Sequence, residues 1–415
     1  MIFRRARIRP GASRPLGSGL PRGPGRSSRA AAAGIIVMTL AMLNGLGSGC
    51  DRLRRRQPLE EKVMPAGADP AKRTGGAESV DPRLYEETRP FMGTLFRITL
   101  PILAEPRGVD GAGELAESRR LAIEAVRAAF REIERVERLF SPHIPGTPIS
   151  RINEAAAESP PRAVKVTQEV FNLVHESLQL SERSEGAFDI TFGPLGALWA
   201  PTKSGAPREL PTPAQLRDAQ SKVGFKLVEL SYEETSVRLG RKGMQLGLGA
   251  IAKGYAVDQV ALVLRARGRH DFIVDGGGDL FVAGRHPDRP WRVGIKDPRR
   301  PETYFASFAT QDRAVVTSGD YERYFLKDGK RYHHIIDPRS GRPASGLMSV
   351  TVIHPKATLA DSLSTAAFVL GPRKGHDFLA RQPEVEFLMV TTQGQVLTSP
   401  GLKESLTQRP VTVAP

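Results

Sequence analysis

Hydrophobic and polar positions along this chain follow two periods, one of two residues and one of between three and four. Thr94–Leu100 (TLFRITL) alternates as a half-buried strand does, directly after the turn-forming run Pro90-Phe91-Met92-Gly93. From Leu115 to Leu139, apolar side chains fall at Leu121, Ala125, Ala128, Ala129, Ile133, Val136 and Leu139, and charges fill the gaps. That spacing predicts a helix with one buried face. The same argument predicts helices over Thr167–Arg183 (Val170, Phe171, Val174, Leu178, Leu180), over about Ala252–Arg267 (Val257, Val260, Ala261, Leu264) and over Leu359–Val369. Short apolar runs predict strands at Phe272–Val274, Leu280–Ala283, Trp291–Ile295, Ala314–Thr317, His333–Ile336, Ser349–His354 and Glu386–Thr391. Strands and helices mix without a regular βαβ beat, so the expected class is α+β, with mixed, largely antiparallel sheets and packed helices. No internal repeat is evident.

Charge changes the picture at the N-terminus. The 415 residues carry 60 lysines and arginines against 45 acids, a formal net charge of +15. Eight of those arginines and none of the acids lie before Cys50, so the excess over the rest is +7. A mildly basic globular protein with few aromatics (6%) and no basic helix stripe is not a nucleic-acid binder, despite a pI near 10.2. The arginine-rich start leads into an apolar run, Ala30–Leu43, and then Gly45, Gly47, Ser48 and Gly49 before Cys50. This is the order of a secretory signal, and the run is shorter than a bilayer span. It resembles a bacterial lipoprotein signal in which Cys50 becomes the lipidated first residue, although Gly47 stands where a leucine is usual. Asp51 resembles the inner-membrane retention signal of such lipoproteins. As the only cysteine, Cys50 excludes an internal disulfide and a Cys-rich metal site. Asp51–Glu87 mixes eight acids and eight bases with no hydrophobic period, the composition of a tether. The expected organisation is a signal over 1–49, a tether over 50–87, a folded domain over 88–400 and a tail over 401–415.

Several segments have the composition of sites, and each also has an ordinary structural explanation. Gly247-Leu248-Gly249-Ala250-Ile251-Ala252-Lys253-Gly254 opens a predicted helix with free backbone amides and a lysine, a suitable place for an anion. It lacks the strand and acid of a dinucleotide fingerprint and the Ser/Thr of a P-loop, and a tight entry into the helix would explain it equally well. Asp275-Gly276-Gly277-Gly278-Asp279 reads as a hairpin turn. In Tyr332-His333-His334-Ile335-Ile336, alternation puts the two histidines on opposite faces, so they do not chelate one zinc together. One is free to act as an acid or base while the other packs or is solvated. Asp361 and Thr365 are four apart and share a helix face, where a carboxylate and a hydroxyl suit a hard cation such as Mg²⁺. Asp189 and Thr191 follow Gly186-Ala187-Phe188 in an otherwise apolar run, as a ligand's polar contact or as a strand end.

Taken in order, Met92-Gly93-Thr94, Ser150-Arg151-Ile152-Asn153, Gly186 through Thr191 to Trp199, Gly249–Asp258, Thr317–Tyr321, His334–Gly341 and Ala360–Ala366 resemble the ApbE family of FAD:protein FMN transferases over about Arg89–Gly375. The resemblance implies a two-lobed, T-fold-related domain. It implies an enzyme that moves FMN from FAD to a threonine or serine hydroxyl of an acceptor flavoprotein, with Mg²⁺, releasing AMP. By position, Met92, His143, Ala187, Phe188, Asp189, Lys253 and Ile335 would contact FAD. Asp361, Thr365 and the carbonyl of Ala250 would hold Mg²⁺, and His334 and Asp361 would be catalytic. The chain departs from the family pattern at Gly247, where an aspartate is common, and at His143, where relatives can have a tyrosine. A FAD pyrophosphatase and a non-catalytic flavin-binding lipoprotein are the alternatives. With a lipid anchor at Cys50, the implied setting is the inner membrane, facing the periplasm. Asp361 is expected to be a surface ligand whose loss spares the fold.

Overall fold

The computed structural model describes residues 81–102, 111–200, 209–300 and 302–406. The leader, Cys50 and most of the expected tether lie outside them. Leu84–Phe91 (β1) and Thr94–Pro101 (β2) form a hairpin, so Leu84–Glu87, expected in the tether, begin the sheet. The long helix Gly111–Phe140 (α1) follows, then Pro148–Ala155 (α2), Val164–Lys165 (β3), Gln168–Arg183 (α3), Gly193–Trp199 (α4) and Pro213–Gln220 (α5). Val228–Ser231 (β4) and Ser236–Leu239 (β5) join β3 in a small sheet. Next come Ala252–Arg265 (α6), the hairpin Phe272–Gly276 (β6) and Asp279–Ala283 (β7), and a second hairpin, Arg292–Lys296 (β8) and Tyr304–Ala309 (β9). Arg313–Gly319 (β10) precedes two small hairpins, Tyr324–Lys327 (β11) with Lys330–His333 (β12) and Ile336–Asp337 (β13) with Arg342–Pro343 (β14). Leu347–His354 (β15), Ala357–Ala380 (α7), Glu386–Thr391 (β16), Val396–Thr398 (β17) and Pro400–Ser405 (α8) are the last elements among the described residues.

One antiparallel eight-stranded sheet, in the order β1-β2-β6-β7-β10-β15-β16-β17, organises these elements. The α+β expectation holds. Alternation divides the strands between two cores. Phe272, Val274, Phe281, Ala283, Ala314, Val316, Val350 and Val352 join the larger core, to which α1, α6 and α7 contribute. Val282, Val315, Ile353 and Leu388 face a smaller one with the β8–β9 hairpin and α8. In β15 a register shift between Leu347 and Ser349 exchanges the faces: Leu347 and Val350 share the larger core although they are three positions apart. Leu402 and Leu406 are buried in the smaller core, so the expected tail contributes to the fold.

Two other expectations need correcting. His333–Ile336 is not one strand: β12 ends at His333, the His334 N–H closes the β11–β12 ladder on the Arg323 carbonyl at 3.0 Å, and Ile336 already belongs to β13. The fourth helix extends well past Val369, with a break at Gly371 (φ 81°) immediately before Pro372. The glycine-rich hairpin is as expected. Gly277 and Gly278, at φ 72° and 99°, form the two-residue turn between β6 and β7 that demands positive φ at both centres.

Candidate active site

The turns β1–β2 and β6–β7 and the C-terminal end of β10 lie at the same end of the sheet, since Phe96 pairs with Gly276, Asp279 with Val316 and Gly319 with Ser349. Asp279 begins β7 with the parity of Phe281 and Ala283, so alternation turns its carboxylate toward the helices. There it meets Lys253, in the first turn of α6: Lys253 Nζ lies 2.7 Å from Asp279 Oδ2 and 3.2 Å from both oxygens of Asp361 on α7. The Gly254 N–H donates to Asp361 Oδ2 at 3.1 Å. Asp361 is 2% exposed, which corrects the surface ligand expected from sequence. Burial acts to lower the Lys253 ammonium pKa, but the two carboxylates outweigh it and the net shift is upward. Burial raises Asp279, and the neighbouring Asp361 adds to that.

The close approach of α6 to α7 has a sequence cause. A methyl group on Gly254 would lie 2.3 Å from the Ala357 carbonyl oxygen and 2.9 Å from Asp361 Cβ, so only glycine lets the helices meet there. One turn further along α6, the half-buried Asp258 carboxylate accepts from the N–H groups of Ala357 and Thr358 at 2.8 and 2.9 Å and from Thr358 Oγ1 at 2.6 Å. It caps α7 from a neighbouring helix and so sets the depth of Asp361. Thr365, one turn beyond Asp361, lies 3.3 Å from Ser318 Oγ at the end of β10, and Ser318 also bonds Ser364 at 2.8 Å. Ala250 lies just before α6. Carboxylate, hydroxyl and main-chain carbonyl form an all-oxygen donor set, which fits Mg²⁺. Asp361 and Thr365 share α7, and the contact between Asp361 and the first turn of α6 brings that helix to the segment that carries Ala250.

The segments that carry the other expected residues are tied to this centre by backbone hydrogen bonds. The Gly247 N–H donates to the Ile190 carbonyl at 2.8 Å, which sets Ala187–Ile190 beside the glycine-rich segment. Asn153 pins the residue before it, with its side chain bonding Leu246 O at 3.0 Å and Leu246 N at 2.7 Å. Ala187 and Phe188 are buried. The carboxylate of Asp189 is fully engaged inside the protein: Oδ1 accepts from Thr191 N–H and O–H at 2.7 and 2.6 Å, and Oδ2 from Phe225 N–H at 2.9 Å. Burial keeps Asp189 above the usual carboxylate range despite those donors. A side chain at Gly247 would meet the Phe192 ring at 3.2 Å, so the departure at Gly247 is matched by an aromatic neighbour.

Arg323 links the first turn to the histidines. Its guanidinium donates to the Gly93 carbonyl at 3.0 Å, and its own carbonyl takes the His334 N–H and His334 Nδ1 at 3.3 Å. Met92, at φ 51°, donates its N–H to Glu137 Oε1 at 2.7 Å. His333 is the packed histidine. Its Nδ1 accepts from Ile335 N–H, so Nε2 carries the proton to the Ala344 carbonyl at 3.0 Å, and its ring meets Phe368 edge-on. Ile335 is buried beside it. His334 keeps some solvent contact as a residue, yet burial of its ring and then the neighbouring Arg323 guanidinium push its pKa down to about 3. It is neutral at pH 7, and a proton on Nδ1, shared with the Arg323 carbonyl, leaves Nε2 as a base. His143 sits exposed on the loop after α1, its N–H on Ser141 Oγ, with no contact to the cluster among the described residues.

Fold and site together define an α+β protein with a lysine shared between two buried carboxylates at one end of its main sheet. The profile of the ApbE family matches residues 92–389, and the chain belongs to that family. It is 35% identical over 295 residues to the FAD:protein FMN transferase of Treponema pallidum, covering 67% of this chain and 80% of that protein. To that of Klebsiella pneumoniae it is 35% identical over 272 residues, 65% of this chain and 83% of the relative. Among solved structures, the ApbE protein from Thermotoga maritima superimposes with a TM-score of 0.67 at 31% identity, over 79% of this chain and 99% of that one. Sequence reasoning missed Asp279, Asp258 and Arg323 as parts of the site. The sequence reads Asp279 as part of a turn; Asp258 ends one of the family-like blocks and Arg323 lies outside them, and what each touches on its neighbouring elements is a tertiary matter.

Proposed function

We propose that this chain is a FAD:protein FMN transferase that works with Mg²⁺ and loads an acceptor flavoprotein of a membrane or periplasmic redox system. The observation that carries the reading is the meeting of Asp361, Lys253 and the first turn of α6, in a chain matched to the family over residues 92–389. The acceptor's threonine or serine oxygen forms a bond to the phosphorus of the FMN half of FAD. The bridging bond to the AMP half breaks, AMP leaves, and the hydroxyl proton passes to a base. His334, neutral and with Nε2 unprotonated, is the nearest candidate acceptor, but with its pKa pushed down to about 3 it is a weak base that hands the proton on to solvent. Lys253, held protonated by its two carboxylates, offsets charge on the diphosphate. Bound Mg²⁺, held by Asp361, Thr365 and the Ala250 carbonyl, supplies the further charge neutralisation that diphosphate cleavage needs. Met92, His143, Ala187, Phe188, Asp189 and Ile335 belong to the segments that receive the dinucleotide, with Asp189 shaping its loop from within.

Incubating the purified chain with FAD, Mg²⁺ and an acceptor protein should yield an acceptor heavier by one FMN residue. FMN and AMP appearing with no adduct would instead make it a FAD pyrophosphatase, and FAD remaining intact would make it a flavin-binding protein without turnover. The leader favours an inner-membrane lipoprotein facing the periplasm, anchored through Cys50. Cys50→Ser should move the protein from the membrane fraction to the soluble fraction, and an unchanged distribution would refute the anchor.

A further inference from the structure

We infer that Asp279 is a positioning residue that holds Lys253 away from the cation seat, so that Asp361 can bind a divalent ion. The inference rests on the proposed role of Asp361 and adds a residue to which the sequence assigned no role beyond a turn. Two carboxylates, each with a side chain only 3% exposed, share one ammonium group. The sharing is unequal: 2.7 Å to Asp279 Oδ2, against 3.2 Å to each oxygen of Asp361. An ammonium close to both oxygens of a carboxylate competes directly with a metal ion for it, and the cost of leaving a buried lysine unpaired makes that competition strong. With Asp279 present, Lys253 can move off Asp361 and still keep a counter-charge. Without it, Asp361 is the only hydrogen-bonded carboxylate left to the lysine among the described residues, and the seat is closed by the protein's own cation.

Asp279 is held in place independently of the lysine. It is the first residue of β7, paired with Val316 of β10, and follows a two-glycine turn closed by the Gly278 N–H on Asp275 Oδ1 at 2.9 Å. The strand fixes the carboxylate, and the lysine, on a flexible stem, moves between fixed acceptors.

The test is Mn²⁺ binding to the full chain, read by electron paramagnetic resonance with the metal alone, so that no turnover enters the result. Asp279→Asn keeps the shape and removes the charge, and it should raise the Mn²⁺ dissociation constant at least tenfold. Adding Lys253→Met should restore binding to within about threefold of the original protein, because the competitor has gone. Unchanged affinity in Asp279→Asn overturns the proposal. A double variant as weak as Asp279→Asn also overturns it, since Asp279 would then act as a ligand or through its field alone. Equal binding by the original protein and Asp361→Asn would remove the cation seat itself and this inference with it. A crystal structure of the unaltered protein with Mn²⁺ is a check that needs no variant. Lys253 Nζ should remain on Asp279 and withdraw from Asp361, and a lysine that leaves Asp279, or keeps both contacts, refutes the idea.

Discussion

Replacing Gly254 by alanine tests whether the α6–α7 contact sets the site. The new methyl would lie 2.3 Å from the Ala357 oxygen, 2.6 Å from its carbonyl carbon and 2.9 Å from Asp361 Cβ. Restoring ordinary contact requires α7 to retreat by roughly 1 Å. Two of the three clashing atoms are backbone, so no side-chain rotation relieves them. Overpacking of this kind costs about 1–3 kcal/mol. Loss of the charged hydrogen bond from Gly254 N–H to Asp361 adds about 1.5–3 kcal/mol, and alanine's better helix propensity returns about 1 kcal/mol. The net destabilisation is about 1.5–5 kcal/mol, a fall in Tm of roughly 3–10 °C for a domain of this size. Because a displacement of this size at a reacting centre costs on the order of 10²-fold in rate, FMN transfer to an acceptor should drop by about that factor. Gly249→Ala is the control for stability: a methyl there meets nothing within 4 Å, and Tm should stay put. Thermal unfolding by circular dichroism and a mass-spectrometric transfer assay read both quantities. A Gly254→Ala protein that melts and turns over like its parent would show that the helices are not held by this contact.

Asp189→Asn replaces a carboxylate that accepts three hydrogen bonds and sets an amide donor against a donor at Phe225 or Thr191. It should cost about 1–3 kcal/mol in urea unfolding, and an unchanged midpoint would deny Asp189 its role in shaping the loop. The His334 pKa is depressed to about 3 in the folded state, so its contribution is present above the unfolded value of about 6.5 and is lost as pH falls toward 3. His334→Gln should therefore lose less stability than the parent between those pH values, and parallel curves would contradict the burial of the ring. Asp361→Ala should lower both Mg²⁺-dependent turnover and Tm, since Lys253 and the Gly254 N–H each lose a partner. Full activity in that variant would remove the metal assignment.

Periodicity alone carried much of this molecule. The helices α1, α3 and α6, the strand Glu386–Thr391 and the β6–β7 turn are local events, and spacing and turn chemistry decide them. The order of short motifs likewise pointed to the family and to Lys253, Asp361, Thr365 and His334. Tertiary structure alone decided what those residues touch. His333 and His334 lie on opposite sides of the chain, as alternation requires, but that one packs on Phe368 and the other lies by Arg323 depends on which elements flank the β11–β12 hairpin. Asp361 looked like a surface ligand until α6, admitted by Gly254, came close enough to cover it. Asp279 gained its partner only when an eight-stranded sheet brought the start of β7 beneath α6 and α7. Pattern along a chain reports which face of an element is buried, whereas a charge's partner depends on which elements cross over it, and that is a long-range property of the packed fold.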